Sequence, residues 1–163
     1  MTTRDLEIFK KAILNEVEGY EFYKMAAAHA EEDQAKKLFT QMANEERDHL
    51  EWLRDVFQKL GARDEDRFKL SMLETPISPN IFNWDNVSVK NPSLAVSIYG
   101  IAMTFERGSI ELYKRAIEDT DNDDAKKVFE ILLNWEKGHL EKFSSAYEHH
   151  SGDWWADQNF HPF

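Results

Sequence analysis

Residues 5–57 of this chain recur ninety positions later without a gap. Ile8 falls on Ile98, Ala12 on Ala102, Glu16 on Glu106 and Glu21 on Glu111. Tyr23-Lys24 falls on Tyr113-Lys114, Ala35-Lys36-Lys37 on Ala125-Lys126-Lys127, and Phe39 on Phe129. Asn44 then matches Asn134, Glu46 matches Glu136, and His49-Leu50-Glu51 matches His139-Leu140-Glu141. A unit this long, present only twice, is not a solenoid repeat. Each copy carries two apolar runs of helical period separated by a polar turn, so each reads as a helical hairpin. Two hairpins make one four-helix bundle, an all-α fold.

The repeat also fixes the height of particular side chains. The polar stretch Glu31-Glu32-Asp33 reads as the turn of the first hairpin, with Glu16 fifteen residues before Glu31 and Glu46 fifteen after it. Antiparallel helices meeting there hold both glutamates at one level, roughly 22 Å from the turn at 1.5 Å per residue. The second hairpin repeats this around Asp121 with Glu106 and Glu136. All four glutamates lie on apolar stripes: Phe9, Ile13, Glu16, Tyr20 and Tyr23, and Tyr99, Met103, Glu106, Ile110 and Tyr113, on one pair of helices. On the other pair the stripes are Phe39, Met42, Glu46, His49 and Leu53, and Phe129, Leu132, Glu136, His139 and Phe143. Such stripes face a core.

Each of the later glutamates opens a Glu-x-x-His motif, Glu46-Arg47-Asp48-His49 and Glu136-Lys137-Gly138-His139. Residues three apart share a helix face, so both side chains reach one inward point. A single such motif carries a real risk of chance, whereas two in register with two upstream glutamates do not. Four clustered buried carboxylates are costly unless neutralised. Two divalent cations cancel four negative charges, and two neutral imidazoles complete the donor set. Glu16, Glu46, His49, Glu106, Glu136 and His139 are therefore the candidate ligands of a dinuclear centre. The bland alternative is a metal-free bundle whose core acids pair with histidines or lysines. Other acids, including Glu18, Glu45, Glu51 and Glu141, read as lying on or near solvated faces, and His29, His149, His150 and His161 as lying outside the main site.

The 163 residues suit one core. We expect a bundle over residues 1–150, with a crossover at 61–91 that lets the second and third helices run parallel, and an aromatic tail at 151–163. Gly61 reads as a helix stop, Glu65–Leu73 as a short helix, and Asn91-Pro92 as a helix start. The last helix is expected from about Asn122 to His149, ended by Ser151-Gly152. The tail, with Trp154, Trp155, Phe160 and Phe163, either docks on its own bundle or forms a dimer contact; a homodimer is expected. The chain has no cysteine, so it holds no thiolate zinc site and no iron–sulfur centre. The net charge of −11 argues against nucleic acid as a partner. Neither a signal peptide nor a membrane-length apolar run is evident, so we expect a soluble cytoplasmic protein with no membrane partner.

The layout Glu…Glu-x-x-His…Glu…Glu-x-x-His on two hairpins resembles the ferritin-like superfamily, and within it the rubrerythrin-related di-iron carboxylate proteins. The resemblance covers about residues 5–149 and implies two iron ions, with manganese or a mixed pair open on ligand type, and no haem. It implies that Glu16 with His49 holds one metal, that Glu106 with His139 holds the other, and that Glu46 and Glu136 bridge. By the same resemblance Tyr23 and Tyr113 are hydrogen-bond donors to ligand carboxylates, the alternative being plain core tyrosines. The implied activity is reduction of peroxide or dioxygen, with electrons from an external donor such as a rubredoxin-like protein. Two other roles stay open: ferroxidase or iron binding for iron handling, and a non-catalytic metal-binding bundle. The chain departs from full-length rubrerythrins in lacking the four cysteines of a rubredoxin domain. It also lacks an additional glutamate one turn after the ligand of the third helix, where it has Ser109, repeat mate of Gly19. The site thus reads as symmetric, and the small residues at 19 and 109 read either as room for a small oxidant or as close helix packing.

Overall fold

The chain starts its first helix with a reciprocal cap. Asp5 N–H donates to Thr2 Oγ1 at 3.1 Å, and Thr2 N–H donates to Asp5 Oδ2 at 2.8 Å, so two otherwise orphan amides are satisfied at once. In this computed structural model, which describes residues 2–59, 81–82 and 94–157, four helices follow. They are α1 (Thr3–His29), α2 (Asp33–Lys59), α3 (Leu94–Asp119) and α4 (Asp123–Asp157). No strand occurs among the described residues. Asn122 caps α4, its Oδ1 accepting from Asp124 N and Ala125 N at 3.0 Å each.

Short turns make α1–α2 and α3–α4 antiparallel hairpins, and the hairpins pack so that α1 meets α3 and α2 meets α4. Contacts between α1 and α3 fix their relative direction. Arg4 pairs with Asp119, Thr120 Oγ1 donates to Asp5 Oδ1 at 2.5 Å, and Asn15 Nδ2 donates to Ser109 Oγ at 3.1 Å. The start of α1 therefore meets the end of α3, the two run antiparallel, and α2 and α3 run parallel, as the expected crossover requires.

The apolar interior forms two clusters. One contains Phe22, Tyr23, Phe39, Met42, Tyr99 and Phe143. The other contains Leu6, Phe9, Leu53, Phe57, Tyr113 and Phe129. Repeat mates sit in opposite clusters: Phe39 opposite Phe129, Tyr23 opposite Tyr113, Tyr99 opposite Phe9, and Phe143 opposite Leu53. Rings meet at 5.7 Å in Phe39–Tyr99 and at 5.0 Å in Phe9–Phe129, within the range of favourable aromatic pairs.

One helix boundary differs from expectation. α4 does not stop at Ser151-Gly152 but continues to Asp157. Ser151 Oγ donates to the Glu148 carbonyl at 3.1 Å, which is compatible with helix. Glycine alone costs a helix only about 1 kcal/mol relative to alanine. The proposed Gly61 stop, the Glu65–Leu73 helix, the Asn91-Pro92 start and the tail beyond Asp157 lie outside the described residues.

Phe129→Ala should destabilise the bundle by about 3–5 kcal/mol, because it empties a fully buried ring site. Ile131→Ala, at a side chain 39% exposed, should change stability by no more than about 0.5 kcal/mol. Urea midpoints of the two variants check this, and equal values would contradict the core assignment.

Candidate metal centre

Between the two aromatic clusters lies a layer of polar side chains. Glu16 from α1, Glu46 and His49 from α2, Glu106 from α3, and Glu136 and His139 from α4 are all buried. The helical register explains the convergence: each glutamate lies on its helix's inward stripe, and each histidine is one turn beyond a glutamate. His49 Nδ1 lies 3.3 Å from Glu16 Oε2, 3.3 Å from Glu46 Oε2 and 3.9 Å from Glu136 Oε1. His139 Nδ1 lies 3.1 Å from Glu46 Oε1, 3.8 Å from Glu106 Oε2 and 3.7 Å from Glu136 Oε2. A three-residue group, Glu46, His49 and His139, spans the layer, and two overlapping groups of four are each compact enough to surround one ion: Glu16, Glu46, His49, Glu136 and Glu46, Glu106, Glu136, His139. They share Glu46 and Glu136.

Each terminal glutamate is gripped from the other hairpin. Tyr113 Oη donates to Glu16 Oε1, and Tyr23 Oη donates to Glu106 Oε1. One oxygen of each carboxylate is thereby tied down, while the other, Oε2, faces the layer without a hydrogen-bond partner. Every one of the six residues has such an atom: Glu16 Oε2, Glu46 Oε1, His49 Nδ1, Glu106 Oε2, Glu136 Oε1 and His139 Nδ1. Buried polar atoms left unpaired are rare and costly. Six of them aimed into one layer, all of types that bind divalent cations, fit a metal and leave a metal-free structural role poorly satisfied.

The electrostatics agree. Burial, reinforced by the charge of Glu46, pushes Glu16 up to about 7. Burial and the charges of Glu46, Glu106 and Glu16 push Glu136 well above the usual carboxylate range. Burial also opposes ionisation of Glu46, but the imidazoles of His139 and His49 beside it outweigh that and bring the group down to about 2. Burial opposes the charged form of His49, yet Glu16 and Glu46 raise it to about 9. His139 is raised too, against burial, by Glu106, Glu136, Glu45 and Glu46. Without cations the layer keeps protons in their place.

The surroundings are less symmetric than the six residues. Glu45, near a solvated face as expected but half-buried, accepts from His139 Nε2–H at 3.0 Å and from Lys142 Nζ at 2.8 and 2.6 Å. On the other half, Trp135 stacks on His49 with centroids 4.3 Å apart and planes at 13°. The signal for both lay in the repeat, where Glu45 aligns with Trp135 and Trp52 with Lys142. Nor is there open room beside Gly19 and Ser109. A Cβ on Gly19 would lie 3.1 Å from Phe82 Cζ and 3.4 Å from Glu46 Cδ, so the Phe82 ring fills that place. Ser109 is taken up by Asn15, whose amide also reaches Tyr113 Oη at 3.3 Å. Of the remaining histidines, His29 is exposed and His150 lies near Glu32 at 3.6 Å; neither is among the possible metal groups of the described residues.

Comparison with known proteins gives a family match and a match of fold. The rubrerythrin family model matches residues 7–147. A hypothetical protein from Pyrococcus furiosus has a similar fold, with a TM-score of 0.62 at 21% identity over 88% of each chain. No curated protein matches the chain.

The metal-free protein should lose stability as pH rises from about 4.5 to 9. Glu16 and His49 both hold protons more tightly folded than unfolded, Glu16 with a pKa of about 7 and His49 of about 9. Their stabilising contributions are full below the unfolded values of 4.5 and 6.5, and disappear as pH passes the folded ones. Added divalent metal needs deprotonated ligands, so the stabilisation it confers should grow over the same window. Melting temperatures across this range, with metal and with chelator, test both slopes; a metal-free melting temperature that rises with pH would contradict them.

Proposed function

The chain belongs to the rubrerythrin family, and from that premise we propose that it is a non-haem di-iron oxidoreductase reducing peroxide or dioxygen with electrons from a separate donor. The observation that carries this reading is the set of six orphaned donor atoms in two groups sharing Glu46 and Glu136. Glu16 and His49 would hold one metal, Glu106 and His139 the other, and Glu46 and Glu136 both. A pair of ferrous ions bound there would supply the two electrons that, with two protons, take one hydrogen peroxide to two waters.

The residues of the chain supply the rest. Tyr113 and Tyr23 hold one oxygen of Glu16 and Glu106, so that each carboxylate would offer its other oxygen to a metal. The aromatic clusters above and below keep water from the layer and strengthen every electrostatic interaction in it. None of the 163 residues is a cysteine. The reductant is therefore an electron-transfer centre outside these residues, with a rubredoxin-like protein the leading candidate.

A second reading, ferrous-iron oxidation for iron handling, draws on Ser109. Where rubrerythrins carry an additional glutamate, this chain has a serine hydrogen-bonded to Asn15. The polar group there serves the bundle and offers no further carboxylate.

One titration separates the two. Anaerobic protein should bind two ferrous ions per chain and consume about one peroxide per pair, with repeated turnover only when a rubredoxin-like donor and its reductase are added. Continuous oxidation of added iron, retained well beyond two per chain, would favour iron handling. Peroxide that leaves the ferrous site unoxidised would overturn both. Glu46→Ala and Glu136→Ala, each removing a shared ligand, should abolish oxidation while Glu51→Ala, on an exposed face, leaves it intact.

A further inference from the structure

The repeat that places six ligands symmetrically is broken directly behind the two histidines. On the α4 side, His139 Nε2–H donates to Glu45 at 3.0 Å. Lys142, one turn beyond His139, holds both oxygens of that carboxylate at 2.8 and 2.6 Å. At the equivalent positions of the other half stand Trp135 and Trp52. Trp135 lies flat against the His49 ring at 4.3 Å, and Trp52 meets Trp135 nearly edge-on at 4.8 Å and 70°.

These surroundings do different things to an imidazole. A carboxylate accepting the Nε2 proton fixes the tautomer, directs the Nδ1 lone pair into the site and makes that nitrogen a stronger donor to a metal. An indole face fixes the plane of the ring but is no acceptor, since the only polar group of tryptophan is an N–H donor. His139 Nδ1 and His49 Nδ1 are thus equivalent in position and unequal in donor strength. The other ligands do not offset this. Glu16 and Glu106 are each held by one tyrosine, and Glu46 and Glu136 are common to both groups.

We infer that the two halves of the centre load in order, the half formed by Glu106 and His139 binding a divalent cation more tightly than the half formed by Glu16 and His49, with Glu45 as the positioning residue that sets the difference. The inference rests on the dinuclear reading above. It gives the chain a state with one metal bound, and it makes the His49 half the one that fills last and empties first.

Cobalt(II) tests this without relying on turnover, because it takes the same nitrogen and oxygen ligands. Calorimetric titration of the metal-free protein should show two unequal steps. A crystal grown with one equivalent should place the anomalous cobalt density between Glu106 and His139. His139→Ala should remove the tight step and His49→Ala the weak one. Glu45→Gln keeps the side chain's size but removes its charge, and should weaken the tight step about 10–100-fold while leaving the weak step in place. The same substitution in a His139→Ala background should have no further effect on the remaining step, whereas in a His49→Ala background it should retain its full effect. A role in packing alone would weaken both backgrounds alike, and that outcome would overturn the inference. Two equal steps in the unaltered protein, or density on the His49 side at one equivalent, would overturn it too while leaving the dinuclear reading standing. Failure to bind two equivalents would remove the dinuclear reading and the inference together.

Discussion

Four carboxylates in one layer of a narrow bundle repel one another, and each has given up the water that would solvate its charge. Much of the structure answers that constraint. Protons or cations must enter the layer to neutralise it, and the imidazoles of His49 and His139 stand where either can be accommodated. The tyrosines supply donors to Glu16 and Glu106 from the opposite hairpin. The cross-linking is consequential: neither hairpin alone satisfies its own glutamate. The polar layer that strains the bundle electrostatically is also what ties its halves together, whereas the aromatic clusters on either side contribute burial without specifying which hairpin faces which.

Metal binding and folding are coupled through this layer. The groups that keep protons in the metal-free chain are the ones a cation must displace, so acid and metal compete for the same sites. Regions above and below the layer are apolar and do not take part in that competition. Stability of the whole bundle therefore responds to a very local change in composition, the exchange of protons for cations among six side chains.

The six inward residues were legible in the sequence because their placement depends on two periods only, the helical turn and the ninety-residue repeat. Tyr23 and Tyr113 were legible as candidates, yet their partners were not, since the crossing to Glu106 and Glu16 is set by how the hairpins pack. The role of Glu45 is hidden for a related reason. Its neighbours along α2 place it near solvent, and its partner, His139, is on another helix. The end of α4 was misjudged because Ser151-Gly152 is only a weak local stop. At Gly19 the sequence leaves open room and close packing undecided, because the residue filling the place, Phe82, comes from the connection between hairpins, where no helical period gives a position. Sequence reasoning succeeded where register alone decides and failed where a distant segment supplies the partner.

Phe82 seated against Gly19 bears on how such a bundle differs from an assembly of two separate hairpins. Its ring also lies 5.2 Å from Phe105 and 5.9 Å from Phe22, so it belongs to the wall beside Glu46. Two identical hairpins associating as a pair would carry every side chain twice, and any change on one flank would be copied onto the other. A covalent link crosses from the first hairpin to the second once, and so offers its phenylalanine to one flank. Across the pseudo-axis the matching place holds Ser109 and Asn15 instead, a polar pair where the first flank has Gly19 and Phe105. Joining the hairpins in one chain thus frees each half of the centre to evolve its own walls while both keep the same ligands.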